Sequence, residues 1–260
     1  HNPDTFRHRV LIRWLNRQAL RHAARVIGIS HAVSRFVAAV DGYDPSRIVT
    51  IPYGFDTTHR EALPRAEART AVGLADGDVV VAVFARLTRQ KGVDVLVDSL
   101  ARLHERRPTV TLLIVGDGPE RAALTLRTKA LGLEHVIRFT GWMDDAWKVM
   151  AAADIVSVPS RWEGFCVSAL EAMAAARPVV ASRVDALSEL IVHGETGLLV
   201  PPEDVNALAD AIDRLLANRI FASDLGERAR ARAAQAYPIG RMVDSTIGVY
   251  AEIAKASHRL

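Results

Sequence analysis

The feature that most constrains the fold is an alternation of short apolar runs with helical segments, which begins at Asp78. Runs rich in β-branched residues have the length of buried strands, and they cover residues 79–85, 110–116, 135–141, 154–160 and 177–182. Apolar residues at helical spacing occupy residues 93–107, 120–131, 145–152 and 168–175. Such alternation builds a parallel sheet with helices on both faces. The sequence therefore predicts the α/β class: a doubly wound, Rossmann-like domain whose ligand lies beyond the carboxyl ends of the strands.

The chain has a different pattern on either side of this domain. Residues 25–30 and 49–54 resemble two further strands that do not obviously belong to the later sheet. The charged segment 55–70 contains Pro64 and is expected to be a linker. After Val200 we expect three helical stretches, with Pro238 separating the last two, at residues 203–217, 219–236 and 239–257. The expected domains are residues 1–54, the Rossmann-like domain 71–236 and a C-terminal helical segment 237–260.

Composition argues against several classes of protein. No apolar run approaches the roughly 20 uncharged residues that a membrane-spanning helix needs. The 33 Lys and Arg nearly balance the 30 Asp and Glu, so nothing indicates a nucleic-acid partner. The single cysteine, Cys166, excludes an internal disulfide and a cysteine-based zinc site. The expected location is the cytoplasm, and the preference for Arg and Ala is typical of a GC-rich bacterial genome.

Two loops that follow predicted strands carry candidate binding residues. In FARLTRQKG, residues 84–92, Arg86 and Lys91 precede a predicted helix, and cations beside a helix N-terminus suit a diphosphate. The alternative is a solvated loop with ordinary surface charges. In VGDGPE, residues 115–120, Gly116 and Gly118 allow a tight turn with a close backbone approach. They form no G-x-G-x-x-G motif, so a plain strand-to-helix turn is favoured over a dinucleotide site.

The stretch SRWEGFCVSALEAMAAARPVVAS, residues 160–182, places Glu163 and Glu171 around an apolar run. Ser168 and Glu171 match the capping-box pattern, in which a Ser caps a helix and the Glu three residues later binds back to it. That pattern does not explain Glu163, which we expect to be exposed in the loop after a strand. A carboxylate there accepts hydrogen bonds from sugar hydroxyls, and one in the first helical turn accepts two from a ribose diol.

With ARLTRQKG, LLIVGDGPE, IRFTGW, ADIVSVPSRWEG and HGETGLLVPPED, this stretch resembles the nucleotide-sugar-binding half of the family 4 retaining glycosyltransferases. The resemblance runs from about residue 25 to the C-terminus. It implies the GT-B fold, in which residues 1–54 are only a remnant of the N-terminal acceptor domain. It also implies that the segment 237–260 crosses back towards that domain.

The resemblance implies a role for each candidate residue. Arg86 and Lys91 bind the donor diphosphate and stabilise the leaving nucleoside diphosphate, and Glu163 binds hydroxyls of the transferred sugar. These three are the expected catalytic residues, and Glu171 holds the ribose. The other expected donor contacts are largely through the backbone and lie at Gly116, Gly141, Trp142, Met143, Gly164, Phe165, Cys166 and Val167. Retention arises from front-face attack on an oxocarbenium-like centre, so the glutamates bind rather than act as the acid and base of a hydrolase.

The implied reaction transfers a hexosyl unit from a UDP- or GDP-sugar to a hydroxyl acceptor, lipid-linked acceptors included, in glycolipid, polysaccharide or glycoside synthesis. No cofactor and no metal ion are expected. Asp76 and Asp78 precede the first strand of the domain, at the end away from the ligand. Two alternatives stay open. One is a nucleotide-sugar-binding module that lacks turnover because its acceptor lobe is missing, and the other is a nucleotide-sugar epimerase, whose histidine-rich site is not evident.

Four places depart from the family pattern. The family usually has Gly where this chain has Ala85, Cys166 and Ala176, and a Gly-Gly pair at Asp185-Ala186. A side chain at Ala85 or Cys166 crowds the expected sugar phosphate, which bears on the identity of the donor. Cys166 is interpreted as a small neutral filler rather than a nucleophile.

Arginines recur every four positions in residues 9–25 and line one side of a predicted helix that also carries Trp14 and Leu15. One interpretation is an interfacial helix attracted to anionic lipid, which would bring the protein to the inner face of the membrane. The favoured interpretation is a solvated helix face whose other side packs on the rest of the acceptor domain.

Overall fold

The computed structural model describes residues 10–56 and 62–257. The chain forms two compact units. Unit 1 comprises residues 1–55 with 237–260, and unit 2 comprises residues 56–236. None of the helices in the described ranges is long and apolar enough to cross a membrane.

Unit 1 begins with helix α1 (Val10–His22), strand β1 (Val26–Gly28), helix α2 (His31–Asp41) and strand β2 (Ile48–Thr50). The two strands pair in parallel as a separate two-stranded sheet. This confirms that they do not belong to the later sheet. Helix α2 is capped by Ser30, whose Oγ accepts a hydrogen bond from the Val33 N–H at 3.1 Å.

The predicted basic helix of residues 9–25 is shorter than expected. Arg9 lies outside the described residues, and α1 ends at His22. Arg25 follows the helix and forms an ion pair with Glu252. Arg17 and Arg21 remain on the exposed side of α1.

Unit 2 alternates strands and helices as the sequence predicts. Its elements in chain order are α3 (Arg65–Ala71), β3 (Val79–Phe84), α4 (Val93–His104), β4 (Val110–Val115), α5 (Arg121–Ala130), β5 (Ile137–Gly141), β6 (Ile155–Val158), α6 (Val167–Ala174), β7 (Val179–Ser182), α7 (Leu187–Leu190), β8 (Leu198–Val200), α8 (Val205–Ala217) and α9 (Arg219–Ala236). Helix α10 (Ile239–Ser257) belongs to unit 1.

Strands β3 to β8 form one sheet in the order β5-β4-β3-β6-β7-β8, and all neighbouring pairs are parallel. The chain builds outward from β3 to β5, returns to β6 on the other side of β3 and continues to β8. This is the Rossmann order, and its direction reverses between β3 and β6. The predicted doubly wound α/β fold is confirmed, and the switch point is where the fold leaves a crevice for a ligand.

The core of unit 2 lies between this sheet and its helices. Val81, Leu112 and Ile114 of the central strands belong to one buried cluster with Leu96 of α4 and Leu208 of α8. Each of these side chains is at most 1% exposed. The β-branched and leucine runs therefore form strands because both faces of the sheet are covered.

The expectation that residues 55–70 form a linker is wrong for its second half. Arg65–Ala71 forms α3, and both Ala68 and Arg69 are buried. The Arg69 guanidinium donates a hydrogen bond to Asp154 Oδ2 at 3.0 Å. In the sequence Arg69 looks like a solvated charge, because its partner Asp154 lies 85 positions further along the chain.

Two further elements differ from the prediction. Residues 145–152 were expected to form an α-helix but contain a 3₁₀ helix, Ala146–Ala152. Strand β8 was not predicted, because a run of three residues is too short to show a strand pattern.

Candidate functional site

The loop after β3 and the loop after β6 are held together at the carboxyl edge of the sheet. A Cβ at Gly92 would lie 2.0 Å from the Pro159 carbonyl oxygen, and the φ of Gly92 is +62°, so only glycine fits there. The Arg161 N–H donates to the Gln90 carbonyl at 2.8 Å, and Gln90 Nε2 donates to the Trp162 carbonyl at 3.0 Å. These contacts place side chains from distant parts of the sequence at the switch point.

Lys91 and Glu163 form a pair at this point. Lys91 Nζ donates to Glu163 Oε1 at 2.6 Å, although the two residues are 72 positions apart. Ser160 Oγ donates to the same oxygen at 2.7 Å. Among the described residues, Glu163 Oε2 has no hydrogen-bond partner. One carboxylate oxygen is thus anchored, and the other is left to accept a hydrogen bond from a ligand.

The expectation that Glu163 is exposed is wrong, since its side chain is only 3% exposed. A buried carboxylate requires a charge partner and hydrogen bonds to offset its desolvation. Lys91 provides the charge and Ser160 a further hydrogen bond, but only Ser160 lies near Glu163 in the sequence, since Lys91 is 72 positions away.

Cys166 lies beside this pair and is 2% exposed. Burial, with a further contribution from the negative charge of Glu163, raises the pKa of the Cys166 thiol to about 11. Burial alone would lower the pKa of Lys91, but its acidic neighbours Cys166 and Glu163 outweigh burial and raise it. Because the thiol is neutral near pH 7, Glu163 supplies the negative charge. These observations favour a neutral filler over a nucleophile at Cys166.

Arg86 differs from Lys91 in being exposed, and its guanidinium forms no hydrogen bond or ion pair within the described part of the chain. Its loop is nevertheless fixed. Leu87 donates its N–H to the Asp117 carbonyl at 2.9 Å and accepts from the Glu120 N–H at 3.0 Å. A Cβ at Gly116 would lie 2.0 Å from the Ala85 carbonyl oxygen. The close backbone approach predicted for this glycine is therefore to the loop that carries Arg86.

An open cleft lies beside the Arg86 loop. The predicted donor residues that line it are Arg86, Gly116, Trp142, Met143 and Glu171. Trp142 is 71% exposed, and its Nε1 donates to Asp144 Oδ1 at 3.2 Å. Lys91 and Glu163 are not among the lining residues and form the neighbouring buried pair instead. The geometry therefore offers a charged, open region and an anchored carboxylate at one edge of the sheet.

The capping-box explanation of Glu171 is wrong. Helix α6 begins at Val167 with Cys166 as its N-cap, and no side chain caps it. Cys166 is the last residue with an extended backbone, so Ser168 already lies within the first turn. Glu171 instead contributes to the cleft.

The remaining predicted donor residues also lie at this edge. Gly141 ends β5 with a φ of +76°, and its carbonyl accepts a hydrogen bond from the Gly116 N–H at 2.9 Å. Gly164 and Phe165 are partly buried in the loop between Glu163 and α6. Val167 is the first residue of α6 and is 45% exposed.

Arg161 is part of the site and was missed by sequence reasoning. Its guanidinium binds both carboxylate oxygens of Asp94, at 2.9 and 2.7 Å, and donates to Glu203 at 2.7 Å and to the Arg89 carbonyl at 2.7 Å. Hydrogen bonds to Asp94 are the largest contribution that raises the pKa of Arg161. The one available signal was a charged residue in the loop of Glu163, but its main partner lies 67 positions away.

Within residues 10–56 and 62–257, no group of three or more His, Cys, Asp or Glu side chains is arranged to hold a metal ion. The absence of a metal requirement remains an expectation.

Comparisons with known proteins identify the family of this chain. The family described as "Glycosyl transferases group 1" matches residues 64–232, and the "Glycosyl transferase 4-like domain" matches residues 1–54. Alpha-D-kanosaminyltransferase of Streptomyces kanamyceticus is 30% identical over 97% of this chain and 67% of its own length. D-inositol 3-phosphate glycosyltransferase of Nocardia farcinica is 36% identical over 84% of this chain and 50% of its own length. The chain therefore spans between half and about two thirds of these relatives.

Solved structures show the same fold. The crystal structure of Anabaena Alr3699/HepE in complex with UDP and glucose has a TM-score of 0.86 and 29% sequence identity. The similarity covers 94% of this chain and 68% of the Anabaena chain. Taken with the family match across unit 2, these findings show that the chain has a GT-B fold and belongs to the group 1 glycosyltransferases.

Proposed function

We propose that this chain carries the donor-binding part of a retaining glycosyltransferase, which transfers a hexosyl unit from a UDP- or GDP-sugar to a hydroxyl acceptor. The observation that carries the proposal is the placement of Arg86, Lys91 and Glu163 in two adjoining loops at the switch point. The Anabaena relative was crystallised with UDP and glucose, which supports a nucleotide-sugar donor here.

Arg86 and Lys91 bind the diphosphate in this proposal. The exposed guanidinium of Arg86 presents a planar set of donors that suits phosphate oxygens. The Lys91 ammonium has three N–H donors and uses one on Glu163, so the others can reach a phosphate. Both charges then stabilise the leaving nucleoside diphosphate, and little reorganisation is needed because the loops are already fixed.

Glu163 binds the transferred sugar. Its Oε1 is held by Lys91 and Ser160, so Oε2 is the oxygen that accepts from a sugar hydroxyl. A carboxylate engaged with a lysine is a poor general base, which agrees with front-face retention rather than a hydrolase mechanism. Glu171 in the neighbouring cleft binds the ribose, and the backbone from Gly141 to Met143 lies against the base.

We further propose that α1 contacts the membrane surface, which is the less favoured of the two interpretations that the sequence left open. The exposed side of this helix carries Arg17 and Arg21, and Trp14 and Leu15 are 55% and 51% exposed. This combination suits an anionic interface. Sedimentation with anionic vesicles at low salt tests it, and failure to sediment would remove the membrane contact.

The donor assignment is tested by calorimetric titration of UDP, GDP and ADP, and of their common sugar conjugates, into the chain. We expect selective binding to one base. Arg86→Ala should weaken both the nucleoside diphosphate and its sugar conjugate by about tenfold or more, because it removes a charge-assisted contact. Arg228→Ala is the matched control, since Arg228 is an exposed arginine on α9 and does not line the donor cleft.

Unchanged diphosphate affinity in Arg86→Ala would contradict the phosphate assignment. Transfer to an added hydroxyl acceptor distinguishes an enzyme from a nucleotide-sugar-binding module, and the anomeric configuration of the product tests retention. A sugar altered without any acceptor would instead indicate an epimerase.

A further inference from the structure

A second cleft in unit 2 lies at the opposite, amino-terminal edge of the sheet. Its lining includes Val79 and Ile155, which are the first residues of β3 and β6. The N-terminal part of α9 closes one side through Arg219 and Ser223. The donor residues follow the carboxyl ends of the same strands, so the two clefts lie at opposite ends of the sheet.

Positive charge dominates this second cleft. Three arginines line it, Arg65, Arg177 and Arg219, against one aspartate, Asp154. Three positive charges against one negative charge leave an excess of two. Arg69, which is buried next to Asp154, adds a further positive charge.

The single carboxylate is already fully engaged. Asp154 Oδ1 accepts from Arg65 Nη2 at 2.5 Å, and Oδ2 accepts from Arg69 Nη2 at 3.0 Å and from the Val80 N–H at 2.8 Å. It therefore has little capacity left to neutralise Arg177 and Arg219.

Those two arginines have no carboxylate partner among the described residues. Arg177 donates only to backbone carbonyls, to Ala175 at 3.1 Å and to Ala153 at 3.3 Å. Arg219 is exposed and forms no hydrogen bond or ion pair with any part of the chain that the structure describes. Both guanidinium groups keep donors for a ligand.

The excess positive charge affects the pKa of Arg177. Burial lowers the pKa of Arg177, and the positive charge of Arg65 lowers it further. Asp154 and Glu227 oppose this effect but do not cancel it. An anion in the cleft would reduce the repulsion between the guanidinium groups of Arg65 and Arg177.

We propose that this cleft binds a phosphate group, either as inorganic phosphate or as a phosphomonoester. With Arg69 and Glu227 included, four arginines lie near two carboxylates, and a phosphate dianion matches this excess of two positive charges. Arginine forks match the geometry of the phosphate oxygens. The Ser223 hydroxyl adds a donor at the rim, and the positive end of the 18-residue helix α9 favours an anion there. Val79, Ile155 and Leu215 supply an apolar wall for a small organic group.

Calorimetric titration with inorganic phosphate, at constant ionic strength and without other multivalent anions, tests the site. The unaltered chain should bind phosphate, and Arg219→Ala should weaken that binding about tenfold through the loss of a charged donor. Because Arg219 has no partner in the described chain, this substitution should leave the thermal unfolding midpoint unchanged. Arg228→Ala, on the same helix but not lining the cleft, should bind phosphate like the unaltered chain.

The donor loop could also attract phosphate, so Arg86→Ala is titrated in parallel. Phosphate binding that survives in Arg86→Ala and is weakened in Arg219→Ala supports the second site. Binding that is lost in Arg86→Ala and unchanged in Arg219→Ala would overturn it, as would the absence of binding at millimolar phosphate. Titration with UDP reports on the donor site separately, so the failure of one proposal does not affect the test of the other.

A vesicle experiment identifies the source of the phosphate. Sedimentation with vesicles that contain phosphatidic acid, if abolished by Arg219→Ala, assigns the phosphate to a lipid headgroup. Phosphate binding without any Arg219-dependent sedimentation assigns it to a free phosphate or phosphomonoester. Both results support the phosphate site.

Discussion

At the residue scale, two non-glycine residues have left-handed backbone angles at positions where the sequence resemblance leads us to expect glycine. The φ of Ala176 is 54° and that of Asp185 is 30°. Ala176 follows α6, where its N–H donates to the Met173 carbonyl and the Arg177 N–H donates to the Ala172 carbonyl, both at 2.9 Å. This is the Schellman pattern, which places a left-handed residue immediately after the helix.

Ala176→Gly should therefore stabilise the protein. A left-handed conformation costs an L-residue about 1–2 kcal/mol, and glycine loses part of that gain through its greater freedom in the unfolded chain. We expect a net increase of about 1 kcal/mol in the free energy of unfolding, measured by urea denaturation. Ala175→Gly is the control, because the φ of Ala175 is −79° and the substitution should destabilise. A loss of stability in Ala176→Gly would contradict the strain.

Glu163 allows a test of sugar recognition at a single side chain. Glu163→Gln removes the charge but keeps an oxygen to accept from Ser160. We expect it to weaken binding of the sugar nucleotide about tenfold and to affect the nucleoside diphosphate less, because only the former places hydroxyls near Oε2. Calorimetry with both ligands measures the difference, with Glu134→Gln on the exposed surface as the control. Equal losses for the two ligands would remove Glu163 from the sugar-binding role.

At the element scale, the loops after β3 and β6 act as one structure because Arg161 joins them. Its bidentate pair with Asp94 connects the loop of Glu163 to the first turn of α4. The hydrogen bond to the Arg89 carbonyl fixes the turn that carries Lys91. The positions of Lys91 and Glu163 therefore depend on contacts that Arg161 makes.

The ion pair between Asp94 and Arg161 should weaken at low pH. Burial tends to raise the pKa of Asp94, but its hydrogen bonds and ion pair with Arg161 outweigh burial and lower the pKa below its ordinary value of 3.8. A lowered pKa means that the stabilisation is complete above pH 3.8 and is lost as the pH falls through the folded-state value.

Asp94→Asn should accordingly reduce the free energy of unfolding at pH 7 by about 1 kcal/mol, because the pair is partly exposed. The difference from the unaltered chain should shrink below pH 3.8, which urea unfolding at several pH values measures. Asp210→Asn is the control, since the side chain of Asp210 is 68% exposed and its pair with Arg106 lies on the surface. A difference that stays constant with pH would contradict the role of the Asp94 charge.

At the scale of the whole molecule, all the residues of the proposed donor site lie in unit 2. Its six-stranded sheet, its buried apolar cluster and the lining of both clefts all fall within residues 56–236. A domain of this size has its own hydrophobic core and can in principle fold alone.

We therefore expect residues 56–236, expressed alone, to unfold in one cooperative thermal transition and to bind the preferred nucleoside diphosphate within about threefold of the affinity of the full chain. Calorimetry measures both properties. A chain that shows no cooperative transition would contradict the independence of unit 2. A folded chain without nucleotide binding would show that unit 1 contributes to the donor site.

Local patterns in the sequence were enough to predict the alternation of strands and helices and the loops that carry Arg86, Lys91 and Glu163, while the family was predicted from the resemblance of the motifs. A strand run or a helical repeat depends on neighbours within a few residues, so it can be seen without a structure. The short strand β8 and the helix α3 were not predicted, because the former is too brief for a pattern and the charges of the latter have a distant partner.

The pairing of Lys91 with Glu163, the burial of that carboxylate, the Arg161 connection and the arginine cleft required the three-dimensional arrangement. Each depends on which strands are neighbours, and the sheet order places β6 beside β3 although two strands separate them along the chain. Whether a charged side chain is solvated or paired is decided by residues 67 to 85 positions away. The sequence therefore names the groups at the site, and the packing of the sheet assigns their partners.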